Sequence, residues 1–124
     1  MKRIILFLVA CAGMVWAHHS YPKFYFTDQR VTLKGQVTKV VFDDPHAVLT
    51  IETKESGIWL AEWTKPSTLR KYGVQADTVR TGDFLEIQGS PARDPKSRVV
   101  SALKEIRRPA DGWRWELAGQ RTIE

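Results

Sequence analysis

Residues 31–63 read VTLKGQVTKVVFDDPHAVLTIETKESGIWLAEW, and the alternation inside this stretch decides the fold. Val31, Leu33 and Val37 share one parity, whereas Val40 and Phe42 share the other, so the phase slips near Thr38-Lys39. A long strand that holds Gly35 and changes phase predicts a β-bulge that coils the strand. Asp43-Asp44-Pro45 breaks the run. Ala47, Leu49 and Ile51 then form the inward set of a second strand, with His46, Val48 and Thr50 on the other side. Glu55-Ser56-Gly57 reads as a turn. Ile58 to Trp63 follows as a third strand, with Trp59, Ala61 and Trp63 on one face and Ile58, Leu60 and Glu62 on the other.

Downstream, Thr64 is the expected N-cap of a short helix from Lys65 to Tyr72, with Pro66 tolerated in its first turn and Gly73 ending it. Thr81-Gly82-Asp83 turns into a fourth strand, Phe84 to Gln88. The segment Gly89 to Lys96 holds Pro91 and Pro95 and reads as a loop. A fifth strand is expected over Arg98 to Ile106. After a turn at Pro109 to Gly112, Trp113 and Trp115 lie two apart on a short closing strand. Three strands, a helix and two strands is the order of an OB-type barrel. The expected fold class is therefore all-β with one short helix: a five-stranded OB-like barrel, closed or partly closed because exposed short edges aggregate. Its expected core includes Leu33, Val37, Leu49, Ile51, Leu69, Leu85, Ile87 and Leu103.

Upstream, Tyr21 to Arg30 is rich in aromatics without a clean period, and reads as an irregular arm that packs on the barrel. The first residues have another character. Lys2 and Arg3 precede an apolar run from Ile4 to Val15, and Val15-Trp16-Ala17 has the small-residue spacing that signal peptidase reads. The run is too short for a membrane span. The expected organisation is a signal peptide over 1–17, an N-terminal arm over 18–30 and a barrel domain over 31–124, working in the periplasm. The alternative leader reading takes Leu8-Val9-Ala10-Cys11 as a lipobox that leaves Cys11 lipidated at the membrane.

The chain resembles a family of small exported bacterial proteins of unknown function (domain of unknown function 6152). The resemblance is carried by Ala-His-His-Ser at Ala17 to Ser20, Thr-Leu-x-Gly-x-Val at Thr32 to Val37, and Pro45-His46. It continues through Trp59 and Glu62, Pro66 to Gly73, Gly82-Asp83, and Gly-x-Pro-Ala-Arg-Asp at Gly89 to Asp94. The family pattern has Asn where this chain has Asp44, and Gly where it has Pro95, which stiffens that loop. The resemblance implies export and the same fold, but no activity.

Composition narrows the function classes. The formal net charge is +5, and Lys2 and Arg3 belong to the leader, so the exported chain is only mildly basic. That is not the dense positive stripe of a nucleic-acid binder, and export removes the partner. The single cysteine is Cys11, and Met1 and Met14 also lie in the leader. The exported chain thus has no disulfide and no sulfur ligand. Catalysis is not expected, for there is no nucleophile–base pair, phosphate loop or paired-carboxylate motif.

Two binding constellations remain. Cleavage after Ala17 would make His18 the first residue, whose amine and ring nitrogen form one chelate. His19 and His46 complete a candidate metal set of His18, His19 and His46, and nitrogen ligands without sulfur suit Cu(II) or Zn(II). Asp43 and Asp44 are candidate supporting groups. The other reading is a ligand- or envelope-partner-binding domain without metal. It uses Trp59 and Glu62 on the strand-two/strand-three face and Arg93 and Arg98 near the loop, with an anionic glycan or lipid head group as ligand. If the strand face of Glu62 is buried, Arg70 or Arg93 is its expected ion-pair partner. Intact-mass measurement of the exported protein should show a chain starting at His18. A diacylglyceryl adduct on Cys11 would establish the lipobox instead.

Overall fold

The computed structural model describes residues 20–117 and 121–123. The expected leader, His18 and His19 lie outside the described residues. The elements are α1 (Ser20–Phe24), β1 (Val31–Phe42), β2 (Ala47–Thr53), β3 (Gly57–Glu62), α2 (Pro66–Lys71), β4 (Phe84–Pro91), β5 (Val99–Arg108), β6 (Trp113–Glu116) and β7 (Arg121–Ile123). Neighbouring strands run β3-β2-β1-β4-β5-β6-β7, and a parallel pairing of β3 with β5 closes the first five into a barrel. This is the five-stranded OB-like barrel that the strand order predicts. The departures from expectation are a second short helix, α1, within the arm, and the added strand β7.

Coiling of β1 makes the closure possible. Its first half, Val31 to Gln36, pairs with β4, and its second half, from Gly35 onward, pairs with β2. Between Val37 and Lys39 the register shifts by one residue on β1, which is the bulge the phase slip predicts. Gly35 sits where the two pairings overlap. A Cβ there would lie 2.3 Å from the Glu52 carbonyl oxygen, so no larger residue fits without moving backbone.

Every residue of the expected core is buried, and the core also takes in Trp63, Val74, Val79, Val100, Ile106, Trp113 and Trp115. Trp63 and Trp115 meet edge to face at 5.3 Å between ring centroids, the arrangement aromatic quadrupoles favour. Neither indole N–H has an acceptor among the described residues. Burial of these apolar side chains, worth ~1.5–3 kcal/mol each, is the main force that holds the barrel.

Three boundaries differ from expectation, each for a local reason. Thr64 does not cap α2; its carbonyl accepts the Ala47 N–H at 3.0 Å, so it stays in the β2–β3 ladder. Lys65 takes the cap position without a side-chain bond, and Pro66, which lacks an N–H, reduces the need for one. β4 runs on through Gly89 to Pro91, because Gly89 marks a close strand approach and not a turn: its Cβ would lie 2.5 Å from Val100 Cγ1. β5 reaches Arg108 through a bulge in which Ala102 adopts φ 46°.

Arg108 ties the segment after α2 to the β5–β6 turn. It donates to the Thr78 carbonyl at 2.7 Å and to Asp83 at 2.9 Å, pairs with Asp111 at 2.9 Å, and lies over the Trp113 ring. The Arg108 guanidinium holds the Asp111 carboxyl below its ordinary value of 3.8, with help from the Trp113 N–H. A depressed folded value means that Asp111 stabilises the fold above its ordinary titration range and that this is lost as a proton binds. Asp111→Asn should therefore lower the melting temperature at neutral pH. The gap to the parent should close as pH falls below 3.8 through the folded value, as read by thermal melts across pH.

Candidate functional site

Strand register, more than any single motif, places side chains on the outside of this barrel. Directly paired residues share a face, so Phe84, Gln36, Glu52 and Ile58 form one outward row across β4, β1, β2 and β3. The next row outward holds Lys39, Thr50, Leu60 and Val99, and the next Val41, Val48 and Glu62. Ile58 is 58% exposed, Phe84 48% and Leu60 41%. These are three of the five large hydrophobic residues exposed among the described residues; Ile58 and Leu60 are neighbours on the outward side of β3, and Phe84 stands three strands away on β4. Glu52 beside Ile58 is exposed and has no ion pair among the described residues.

A groove of about 720 Å³ runs beside this face. Thr32 to Gln36 line one side, Glu52 to Ser56 the other, and Phe84 contributes an end. Successive strand residues point to opposite faces, so five consecutive residues line one groove only where they present a backbone edge. That edge is the first half of β1, which β2 does not reach: the β1–β2 pairing begins at Gly35–Thr53. The turn after β2 is well fixed. Thr53 Oγ1 donates to the Gly57 carbonyl at 2.8 Å, and Trp59 Nε1 donates to Ser56 Oγ at 2.9 Å.

The sequence-derived ligand residues are brought together only in part. Trp63 is a core residue at 5% exposure. Trp59 is half-buried on the same inward parity, with the Arg98 guanidinium over its ring at 5.3 Å. Arg98 also donates to the Ser56 carbonyl, so Trp59 and Arg98 together pin the β2–β3 turn to the start of β5. Arg93 is used by the arm. It donates to the Pro22 carbonyl at 2.7 Å and lies 4.5 Å over the Phe26 ring, and its N–H bonds the Phe24 carbonyl. Glu62 is half-exposed on an outward face that is not buried. The ion pair expected with Arg70 or Arg93 is not formed, for Arg70 lies over Phe42.

His46 is exposed and lines a shallow pocket of about 560 Å³ with Asp44, Pro45, Thr64, Lys65 and Ser67. Among the described residues, no three His, Cys, Asp or Glu side chains stand close enough to hold a metal. His18 and His19 lie outside the described residues. The arm from Pro22 to Phe26 docks on the β4–β5 loop, next to the start of β1, whereas His46 follows the end of β1.

The residues that sequence reasoning passed over are Ile58, Leu60, Phe84, Gln36 and Glu52. The parity of Ile58 and Leu60 was visible, but the row that joins Ile58 to Phe84 needs the register. The profile of a family described as "Family of unknown function (DUF6152)" matches residues 6–101. The chain belongs to that family. No curated protein and no solved structure matches it. The family fixes kinship and leaves the chemistry to the side chains described above.

The arm contact yields a direct test. Arg93→Ala removes one charge-assisted hydrogen bond and one cation–π contact, together worth ~1–3 kcal/mol of docking. Amide exchange at Phe26 should rise clearly, while amides in β1 and β2 keep their protection.

Proposed function

We propose that this protein is a non-catalytic binding module that works outside the cytoplasm and engages a protein partner of the cell envelope on the outer face of β2 and β3. The observation that carries this reading is the exposure of Ile58 and Leu60 side by side on the outward face of β3. The barrel interior is filled by side chains, so a ligand has to be met from outside. Exposed apolar side chains grouped on one face and rimmed by polar groups are the usual mark of a protein-binding surface. Capture of an anionic glycan or lipid head group through Arg93 and Arg98 has less support, since both guanidinium groups are engaged within the fold.

A photo-crosslinking residue placed at Leu60 in cells that export the protein should give a discrete protein adduct. The same residue at Arg107, on β5, should not, and Ile58→Asp should remove the Leu60 adduct. Equal labelling from both positions would sink the proposal.

A second reading is Cu(II) or Zn(II) binding by His18, His19 and His46. It is favoured by His46, which is exposed and makes no hydrogen bond among the described residues. On that reading the processed protein binds about one Cu(II) through nitrogen. Affinity falls on acidification, because protons compete with the metal for the ring nitrogens. Undiminished copper affinity in His46→Ala would remove His46 from the ligand set.

A further inference from the structure

We infer that Asp111-Gly112, in the turn between β5 and β6, is a site of spontaneous isoaspartate formation, and that Arg108 gates the reaction by gripping both carboxylate oxygens of Asp111.

The sequence has one Asp-Gly step, at Asp111-Gly112, and no asparagine. Glycine obstructs cyclisation least, because no Cβ crowds the nitrogen that attacks. A Cβ at Gly112 would meet nothing within 4 Å, so neighbouring segments add no obstruction. In the first step the Gly112 backbone nitrogen attacks the side-chain carboxyl carbon of Asp111. The new C–N bond closes a five-membered succinimide, and the N–H proton leaves with the carboxyl hydroxyl as water. Water then opens the ring at either carbonyl. One opening returns aspartate; the other gives isoaspartate, in which the main chain runs through the side-chain carbon. The Asp111 side chain is 53% exposed, so water reaches it.

Three contacts oppose the first step. Arg108 Nε donates to both Asp111 carboxylate oxygens at 3.1 Å, and its Nη2 pairs with Oδ2 at 2.9 Å. A carboxyl gripped in this way stays ionised, and an ionised carboxyl has no neutral leaving group until it takes up a proton. The Trp113 N–H donates to Asp111 Oδ1 at 3.0 Å, which aims the carboxylate past Gly112. The Gly112 N–H donates to the Arg108 carbonyl at 3.0 Å, so the attacking nitrogen is engaged as well. Arg108 thus meets both reacting groups, one with its side chain and one with its backbone. Its guanidinium is fixed from outside the turn by the Thr78 carbonyl and Asp83, and lies 5.2 Å over the Trp113 ring.

The position gives the reaction a structural consequence. Arg108 and Trp113 form the rung of the β5–β6 ladder next to the turn. Isoaspartate adds one carbon to the main chain between them and moves the carboxylate from the side chain to the α-carbon. The group that Arg108 and the Trp113 N–H share is then displaced, and the tie between this turn and the segment after α2 is weakened.

Peptide mapping with electron-transfer fragmentation, which tells isoaspartate from aspartate, follows position 111 in purified protein incubated at neutral pH. The folded parent should isomerise far more slowly than the same chain unfolded in urea. Arg108→Gln should raise the folded rate roughly tenfold, the scale of one charge-assisted hydrogen bond that has to break before attack. Amides in β2 should keep their exchange protection in that variant. Arg108→Lys, which keeps the charge and loses the planar fork, should fall between the two. Asp83→Asn removes one anchor of Arg108 but leaves its grip on Asp111, and should rise less than Arg108→Gln. An Arg108→Gln rate equal to the parent's overturns the inference; if that variant loses its β2 protection, an Arg108→Lys rate equal to the parent's does so instead. A folded parent as fast as the unfolded chain also overturns it. So does an Asp83→Asn rate that matches Arg108→Gln, since looseness of the turn, and not the grip on Asp111, would then set the rate.

Discussion

Gly35 is the point through which the rest of the barrel is arranged. One strand has to serve two pairings, and it does so only if its backbone crosses that of β2 at van der Waals distance. The 2.3 Å between a would-be Cβ and the Glu52 carbonyl measures how little room is left. Three residues later the bulge turns β1 so that Val40 and Phe42, and not Val41, face inward. Without that crossing, β1 could not leave β4 for β2, and β3 would not reach β5. The parallel contact of Leu60 and Ala61 with Val99 and Val100 that closes the barrel is therefore downstream of one missing methyl group.

Segments outside the barrel are held by a repeated device. Arg93, Arg98 and Arg108 each lie over an aromatic ring and donate to a backbone carbonyl of a distant segment. Arg93 holds the arm, Arg98 the β2–β3 turn, and Arg108 the segment after α2. The chain has one cysteine and so no internal disulfide for this work. A planar guanidinium suits it, because one group stacks on a ring while its edge makes fixed hydrogen bonds.

Parity was legible in the sequence, and register was not. Alternation at Ala47, Leu49 and Ile51 fixes which face is inside, and the slip between Val37 and Val40 locates the bulge in β1. The same signal lies in β5, where Val100, Leu103 and Ile106 are all buried at spacings of three, yet the neighbouring prolines made the segment before it read as loop. Loop cations carry no such periodic signal. Arg93 and Arg98 look alike as sequence whether they meet solvent, a ligand or an aromatic ring. Only contacts between residues far apart in the chain separate those cases, as with Arg93 and Pro22. The row from Phe84 to Ile58 was hidden for the same reason, since it joins four strands whose offsets no local pattern states.

Closure and groove come from the same few residues. Leu49, Ile51, Leu85, Ile87 and the tryptophans pack together inside the five-stranded barrel. Its concavities arise where strands part. β1 and β2 part at Gly35, where β1 passes from one pairing to the other, and the groove opens on the side of that glycine where β2 has ended. In Thr32 to Val37 the inward residues Leu33 and Val37 build the core, Gly35 permits the crossing, and Thr32, Lys34 and Gln36 face outward beside the groove. A substitution that forced β1 and β2 into a longer ladder would fill the groove and flatten the coil together. The surface this fold offers is thus a consequence of how it closes.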